Sequence, residues 1–160
     1  MDKINHPFHP IIFKDSKILI LGSFPSIDSF SKSFYYSHPR NQFWKILSSI
    51  TNYPVNNKDQ KIWLLKEHKL ALWDIIKSCK RENSLDKSLR EIEVNDIKSL
   101  LEKYPSIQTI AFTGRKSEEL FNCYFKDIDI KRIYLPSPSP AYAKLSFEEK
   151  RKTYKKYLDL

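Results

Sequence analysis

Glycine is nearly missing from this chain: only Gly22 and Gly114 occur in 160 residues. That excludes a glycine-rich phosphate cradle, the usual signature of a nucleotide cofactor. Cysteine is as scarce. Cys79 and Cys123 belong to no close-spaced motif, which excludes a disulfide framework and points to a reduced, cytoplasmic setting. A zinc site also lacks its partners: His6 and His9 are spaced like ligands, but no paired cysteines complete the set. No metal or organic cofactor is implied. No apolar run approaches the length of a membrane span and no signal peptide opens the chain, so no membrane partner is expected.

What is present favours one domain spanning residues 1–160. Apolar residues at 41% and aromatics at 14% suffice for one core, and no repeat, low-complexity tract or linker interrupts it. Lysine and arginine number 28 against 19 acidic residues, a net charge of +9. That surplus favours a polyanionic partner.

Both glycines stand where an apolar run ends, after Lys17-Ile18-Leu19-Ile20-Leu21 and after Thr109-Ile110-Ala111-Phe112-Thr113. A chain so poor in glycine needs them there for a tight turn or a close backbone approach. Leu70-Ala71-Leu72-Trp73 and Lys131-Arg132-Ile133-Tyr134-Leu135 are runs of the same kind. Short continuous apolar runs suit buried parallel strands. Between them, Phe43, Ile46, Leu47 and Ile50 fall at helical spacing, as do Ile97, Leu100, Leu101 and Tyr104, with Asn95 or Asp96 as cap. Weaker helical segments run from Asp59 to His68 and from Lys116 to Tyr124. Ser146-Phe147-Glu148-Glu149 has capping-box spacing and opens a charged helix to about Leu158. The alternation predicts an α/β fold: a three-layer sandwich with a central, mainly parallel four-stranded sheet flanked by helices.

Two stretches escape this pattern. One is Gly22-Ser23-Phe24-Pro25-Ser26, continuing through Tyr35-Tyr36-Ser37-His38-Pro39-Arg40-Asn41. The other is Leu135-Pro136-Ser137-Pro138-Ser139-Pro140-Ala141. Each follows a strand, so both are expected at the carboxyl edge of the sheet, where open α/β sheets bind ligands.

At these residues the chain resembles the uracil-DNA glycosylase superfamily, most closely its hypoxanthine-DNA glycosylase branch. The family's first motif, a strand followed by a Gly-x-x-Pro loop, reads here Ile20-Leu21-Gly22-Ser23-Phe24-Pro25-Ser26, and its second, a Pro-Ser loop after the last strand, reads Leu135 to Ala141. Tyr35 to Trp44 resembles a segment shared by the mismatch-specific and hypoxanthine branches. Leu72-Trp73-Asp74, Ser84-Leu85-Asp86 and Phe112-Thr113-Gly114 match the hypoxanthine pattern, so the likeness spans about residues 17–145. The departures are equally specific. Many relatives carry Asp or Asn at the third position of the first motif to direct the attacking water; this chain has Phe24. Where the uracil enzymes open the second motif with His, it has Leu135, and where they insert Leu into the duplex, it has Ser139.

The resemblance implies a monofunctional DNA glycosylase that acts on damaged DNA in base excision repair. It would excise deaminated bases, hypoxanthine first and uracil or xanthine second, working as a monomer and associating with the nucleoid when bound. It makes Asn41 the residue that positions the attacking water. An amide is no general base, so this is catalysis by placement; the other reading of Asn41 is a cap for the helix beginning at Gln42. Tyr36 is the stacking platform for the extruded base, while Tyr35 suits packing on the core. Asp74 either accepts the ring N–H of hypoxanthine or uracil, or ends its strand by bonding backbone. Ser23 and Phe24 contact the base through backbone N–H groups, with the Phe24 ring available for packing. Ser26 and Arg40 are DNA contacts, as are Ser137 and Ser139 on a second loop stiffened by Pro136, Pro138 and Pro140; the other readings are a solvated Arg40 and an ordinary polar surface turn. His38 reads as structural, and Trp44 and Trp73 as core. Lys144, Lys150, Arg151, Lys152, Lys155 and Lys156 cannot all face one way on a helix and read mostly as a solvated face. The rival is a non-catalytic nucleic-acid-binding module that keeps the glycosylase shell; Phe24 and Leu135 favour it and Asn41 opposes it. A serine hydrolase built on Ser23 lacks the second glycine of a nucleophile elbow.

Overall fold

The structure is a computed structural model describing residues 2–160. Four parallel strands form the central sheet in the order β3 (Leu70–Asp74), β2 (Ile18–Gly22), β6 (Thr109–Thr113), β7 (Lys131–Leu135). Side chains alternate across it, and both faces are covered, which is why the strands read as continuous apolar runs. Ile20, Leu70, Leu72, Ala111 and Ile133 pack with residues of α2 (Phe43–Thr51), α3 (Lys58–Glu67) and α6 (Phe147–Leu158). Leu19, Leu21, Ala71, Ile110 and Phe112 pack on the other side with α4 (Ile97–Lys103) and α5 (Arg115–Tyr124). The three-layer α/β architecture expected from the sequence is present.

A second sheet, absent from the pattern of apolar runs, lies beside the first. β1 (Ile4–Asn5), β4 (Ile76–Lys80) and β5 (Arg90–Val94) form an antiparallel sheet in the order β1, β4, β5. Its Ile76 and Cys79, with Ile92 and Val94, close the second core. A six-residue helix, α1 (Ile27–Lys32), is also new; it is capped by Ser26, whose hydroxyl oxygen accepts from the Ser29 N–H. The other helix ends follow their local signals. Asp96, not Asn95, caps α4, and Ser146 with Glu149 makes the complete capping box of α6. Asn95 instead donates from Nδ2 to the Asp74 carbonyl at 2.8 Å, securing the end of β3.

Two assignments need correction. Lys150 does not belong to a solvated face: it is 1% exposed, and its ammonium donates to Gln42 Oε1 at 2.9 Å and to the Tyr142 carbonyl at 2.8 Å. Arg151 also turns inward, to the hydroxyl and carbonyl of Ser49. Trp44 is core, donating to the Tyr35 carbonyl at 2.9 Å, whereas Trp73 is half-buried.

The strand order places the topological switch between β2 and β6, since the chain leaves β2 towards β3 and returns to the other side of β2 as β6. Both glycines sit at this switch. Gly114 has φ +97°, a conformation that L side chains rarely adopt. Gly22 is required by proximity, because a Cβ there would lie 2.5 Å from Asp74 Oδ1.

Candidate active site

A cleft of about 770 Å³ opens outside the carboxyl ends of the central strands, where ligands of open α/β sheets bind. It is lined by both irregular loops, from Gly22 to Ser26 and from Ser137 to Ser139, and by Tyr36, Asn41 and Asp74. Among the residues given a catalytic, base-binding or DNA-binding role in the sequence, Arg40 alone does not line the cleft; it is exposed on the same loop as Asn41.

Asn41 Oδ1 accepts from the Phe43 N–H at 2.9 Å, so the side chain forms an Asx turn into α2. α2 begins one residue later than the sequence suggests, with Gln42 as its N-cap and no side-chain cap bond. Asn41 is therefore not the cap; its bond satisfies the first helical N–H from the residue before the cap. The bond also immobilises the amide at the cleft wall, leaving one lone pair of Oδ1 and the amide hydrogens for other partners. His38 shapes the same turn: its Nδ1 accepts from the Arg40 N–H at 3.1 Å, and its carbonyl accepts from the Asn41 N–H.

Tyr36 has φ +53° and stacks on Phe43, with ring centroids 4.0 Å apart and planes 20° apart. One face of its ring is covered in this way. Its hydroxyl shares a hydrogen bond with Thr113 Oγ1 at 3.1 Å. Burial first, and then the negative charge of Asp74, push the Tyr36 phenol well above its ordinary value, so it stays neutral. Tyr35 is core, with its hydroxyl donating to the His9 carbonyl at 2.8 Å.

The first loop is held from both sides. Ser23 donates to Asp86 Oδ1 at 2.6 Å. Phe24 lines the cleft while its ring packs on His6 and Phe30, and the Arg81 guanidinium lies 5.1 Å from both the Phe24 and Phe30 centroids and donates to the Pro25 carbonyl. Ser26 is committed to α1, since it also donates to Ser29 Oγ. In the second loop Ser137 Oγ accepts from the Ser139 N–H and Ser139 Oγ from the Ala141 N–H, both at 3.2 Å. These serines brace their own loop and keep their hydroxyl hydrogens for another acceptor.

Several lining residues carried no assigned role in the sequence. Asp86 stands in the concavity, surrounded by protein yet reached by solvent; burial and the neighbouring Asp74 raise its pKa, against the lowering effect of the Ser23 bond and Lys116. Its signal was the Ser84-Leu85-Asp86 match. The Arg115 guanidinium lies 3.9 Å from the Tyr134 ring centroid at the rim. His6, in the sequence half of an incomplete ligand pair, does not itself line the cleft. In the structure its Nε2 lies 2.8 Å from Asp74 Oδ2, with both side chains almost fully buried. Nothing local could have signalled a contact across 68 positions.

Comparison with known proteins agrees with this geometry. The family model of the Uracil DNA glycosylase superfamily matches residues 10–159. A protein of Methanosarcina barkeri named hypoxanthine DNA glycosylase is 38% identical over 114 residues, covering 70% of this chain and 72% of its own. One of the same name from Methanosarcina acetivorans is 32% identical over 145 residues, covering 89% and 91%. A solution NMR structure from Methanosarcina acetivorans, provisionally described as a uracil DNA glycosylase, superposes with a TM-score of 0.79 at 30% identity, covering 96% of this chain and 97% of that one. With its two motif loops meeting across one cleft and the family match running through nearly its whole length, the chain belongs to the uracil DNA glycosylase superfamily.

Proposed function

We propose that the protein is a monofunctional DNA glycosylase that excises deaminated bases, hypoxanthine first and uracil or xanthine second. The observation that carries this reading is the convergence of Asn41, Tyr36 and Asp74 with both motif loops on one cleft. The relatives named hypoxanthine DNA glycosylases support the choice of lesion.

In this reading the damaged nucleotide is turned out of the duplex into the cleft. Its base stacks on the Tyr36 face not covered by Phe43, and Asp74 Oδ1 accepts its ring N–H. Asn41, fixed by its bond to the Phe43 N–H, accepts a hydrogen bond from a water and aims it at C1′. The water oxygen bonds to C1′, the C1′–N bond breaks with its electron pair leaving on the base, and the water proton is lost to solvent or to the departing base. Backbone N–H groups around Ser23 and Phe24 meet the base. Arg40, Ser137 and Ser139 bind phosphate, while Ser26 shapes the loop through α1. The +9 net charge supports association with DNA. A monomer in the cytoplasm, on nucleoid DNA, fits this role.

The test is base release from labelled duplexes carrying hypoxanthine, uracil, xanthine or no lesion, with alkali revealing abasic sites. Release from the hypoxanthine strand is expected. Binding without release from any lesion would establish the non-catalytic module instead.

A further inference from the structure

His6 comes from the segment ahead of the core strands and lies outside the residues matched by the family model. The short pairing of β1 on β4 delivers it, with Ile4 opposite Cys79 and Asn5 opposite Ser78. The His6 N–H then donates to the Lys77 carbonyl at 2.8 Å, extending that pairing by one residue. Its ring sits among Phe8, Phe24 and Tyr35, with centroids 5.6, 5.8 and 6.1 Å away. The side chain is 4% exposed and that of Asp74 is 6% exposed.

Because a carboxylate only accepts, the 2.8 Å contact requires Nε2 to carry the hydrogen it gives to Asp74 Oδ2. Nδ1 faces both polar groups of one residue, the Phe8 N–H at 3.2 Å and the Phe8 carbonyl at 3.0 Å. The ring is therefore satisfied as neutral imidazole or as imidazolium, and Nε2 remains a donor in both. The other oxygen is left differently. Asp74 Oδ1 accepts from none of the described residues, lies against Gly22, and belongs to a residue that lines the cleft. One oxygen is clamped and the other is presented.

Resting on the glycosylase reading, we infer that His6 is a positioning residue that sets selectivity against bases lacking a lactam N–H, holding Asp74 so that Oδ1 recognises that hydrogen. Hypoxanthine and xanthine carry that hydrogen on N1 and uracil carries it on N3. Adenine and unsubstituted purine have none, so they leave Oδ1 desolvated and unpaired, which is how a polar site rejects an analogue. The aromatic walls prevent His6 from swinging away and keep the carboxylate in one orientation.

The experiment compares wild type with His6→Phe, which keeps a ring in the aromatic pocket but has no donor. It adds His6→Gln, whose amide restores one, Asp74→Leu, and the His6→Phe/Asp74→Leu double variant. Each is checked for folding by circular dichroism and melting. Single-turnover base release from hypoxanthine duplexes is followed against enzyme concentration, with free hypoxanthine and free purine as competitors. Wild type is expected to bind free hypoxanthine more tightly than purine. His6→Phe should lose about tenfold or more of that preference, with its DNA half-saturation within about twofold of wild type. His6→Gln should recover most of the loss. The double variant should be no worse than Asp74→Leu, since residues acting through one contact are not additive. A folded His6→Phe that keeps the wild-type preference would overturn the inference, as would effects of His6→Phe and Asp74→Leu that simply add. If His6→Phe does not fold, a folded His6→Leu takes its place: an unchanged preference overturns the inference, and a loss that His6→Gln repairs supports it. Wild type that releases no base from any lesion would remove the glycosylase reading itself, a different failure from release with an unaltered preference in the variants.

Discussion

Gly22 and Asp74 are paired at the carboxyl ends of adjacent parallel strands, and Asp74 Oδ1 lies 2.5 Å from the point a Cβ on Gly22 would occupy. The same point is 3.1 Å from the Tyr36 hydroxyl and 3.2 Å from Thr113 Oγ1. A single methyl group would thus displace three cleft-lining side chains together. Gly22→Ala is expected to destabilise the fold by about 1–3 kcal/mol, the usual cost of overpacking, and to reduce base release out of proportion to that cost. Urea melts beside single-turnover cleavage check both effects; a variant that folds and cleaves like wild type would show that the crowding is relieved at no expense to the site.

Asn41 holds two roles in one side chain, and substitutions can separate them. Asn41→Ala removes the Phe43 N–H partner and should cost about 1 kcal/mol of stability, the usual worth of one hydrogen bond, while lowering base release by about a hundredfold or more through loss of water placement. Asn41→Ser can restore a cap-like acceptor but lacks the reach of the amide, so it should regain stability without regaining turnover. Equal recovery of both would mean that the Asx turn alone matters. DNA affinity, followed by fluorescence anisotropy, should change little in either.

Tyr36 stacks on Phe43 through one face and bonds Thr113 through its hydroxyl. Tyr36→Phe keeps the ring and should retain most activity. Tyr36→Ala removes the platform, and base–aromatic stacking of about 1–3 kcal/mol then predicts weaker capture of the extruded base by roughly 5- to 150-fold. A 2-aminopurine reporter beside the lesion would register that loss as reduced fluorescence change on binding.

The layers and the cleft were legible because their signals are local. Continuous apolar runs marked the four central strands, and the two glycines marked the ends of β2 and β6 where close approach or positive φ demands them. The two irregular loops followed strands and so fell on one edge. The antiparallel sheet was not legible as such, although Arg90-Glu91-Ile92-Glu93-Val94 alternates in the manner of a half-exposed strand; β1 is two residues long and β4 carries breaks in register. Contacts made by tertiary structure left no trace at all. His6 meets Asp74, and Lys150 meets Gln42 across 108 positions, and no periodicity encodes either.

Asp86 offers a prediction with a definite sign. Its carboxyl pKa is raised chiefly by burial, so in the native state it holds its proton to higher pH than in the unfolded chain. The stability linked to this group is therefore complete below the ordinary aspartate range near pH 4 and declines as pH rises through the raised value. Asp86→Asn keeps an acceptor for the Ser23 hydroxyl without the charge. It should be more stable than wild type at neutral pH by under about 1 kcal/mol, since solvent reaches the carboxylate, and the advantage should vanish on acidification. Melts from pH 3 to 8, roughly the span over which carboxyl groups titrate, would reveal an opposite trend if the carboxylate were instead stabilised by Lys116.

Lys150 links three parts of the site from behind. Its ammonium bonds Gln42 Oε1 and the Tyr142 carbonyl, while the Gln42 N–H donates to the Pro138 carbonyl at 3.0 Å, so α6, the start of α2 beside Asn41 and the second loop share one buried node. Removing the charge leaves two acceptors unpaired, and Lys150→Met is expected to lose about 1–3 kcal/mol despite shedding a desolvated ammonium. Because burial lowers the pKa of Lys150, the unfolded chain binds more protons than the native state just below the ordinary lysine value of about 10.4, and stability linked to this group rises with pH through that window. Wild type should therefore gain on Lys150→Met as pH is raised towards that value. Base release should fall in the variant even under conditions where both remain folded, because Pro138 and Asn41 are held in register through Gln42. A variant equally stable at every pH, with turnover unchanged, would mean that the node fastens α6 alone and that the second loop is held by its prolines.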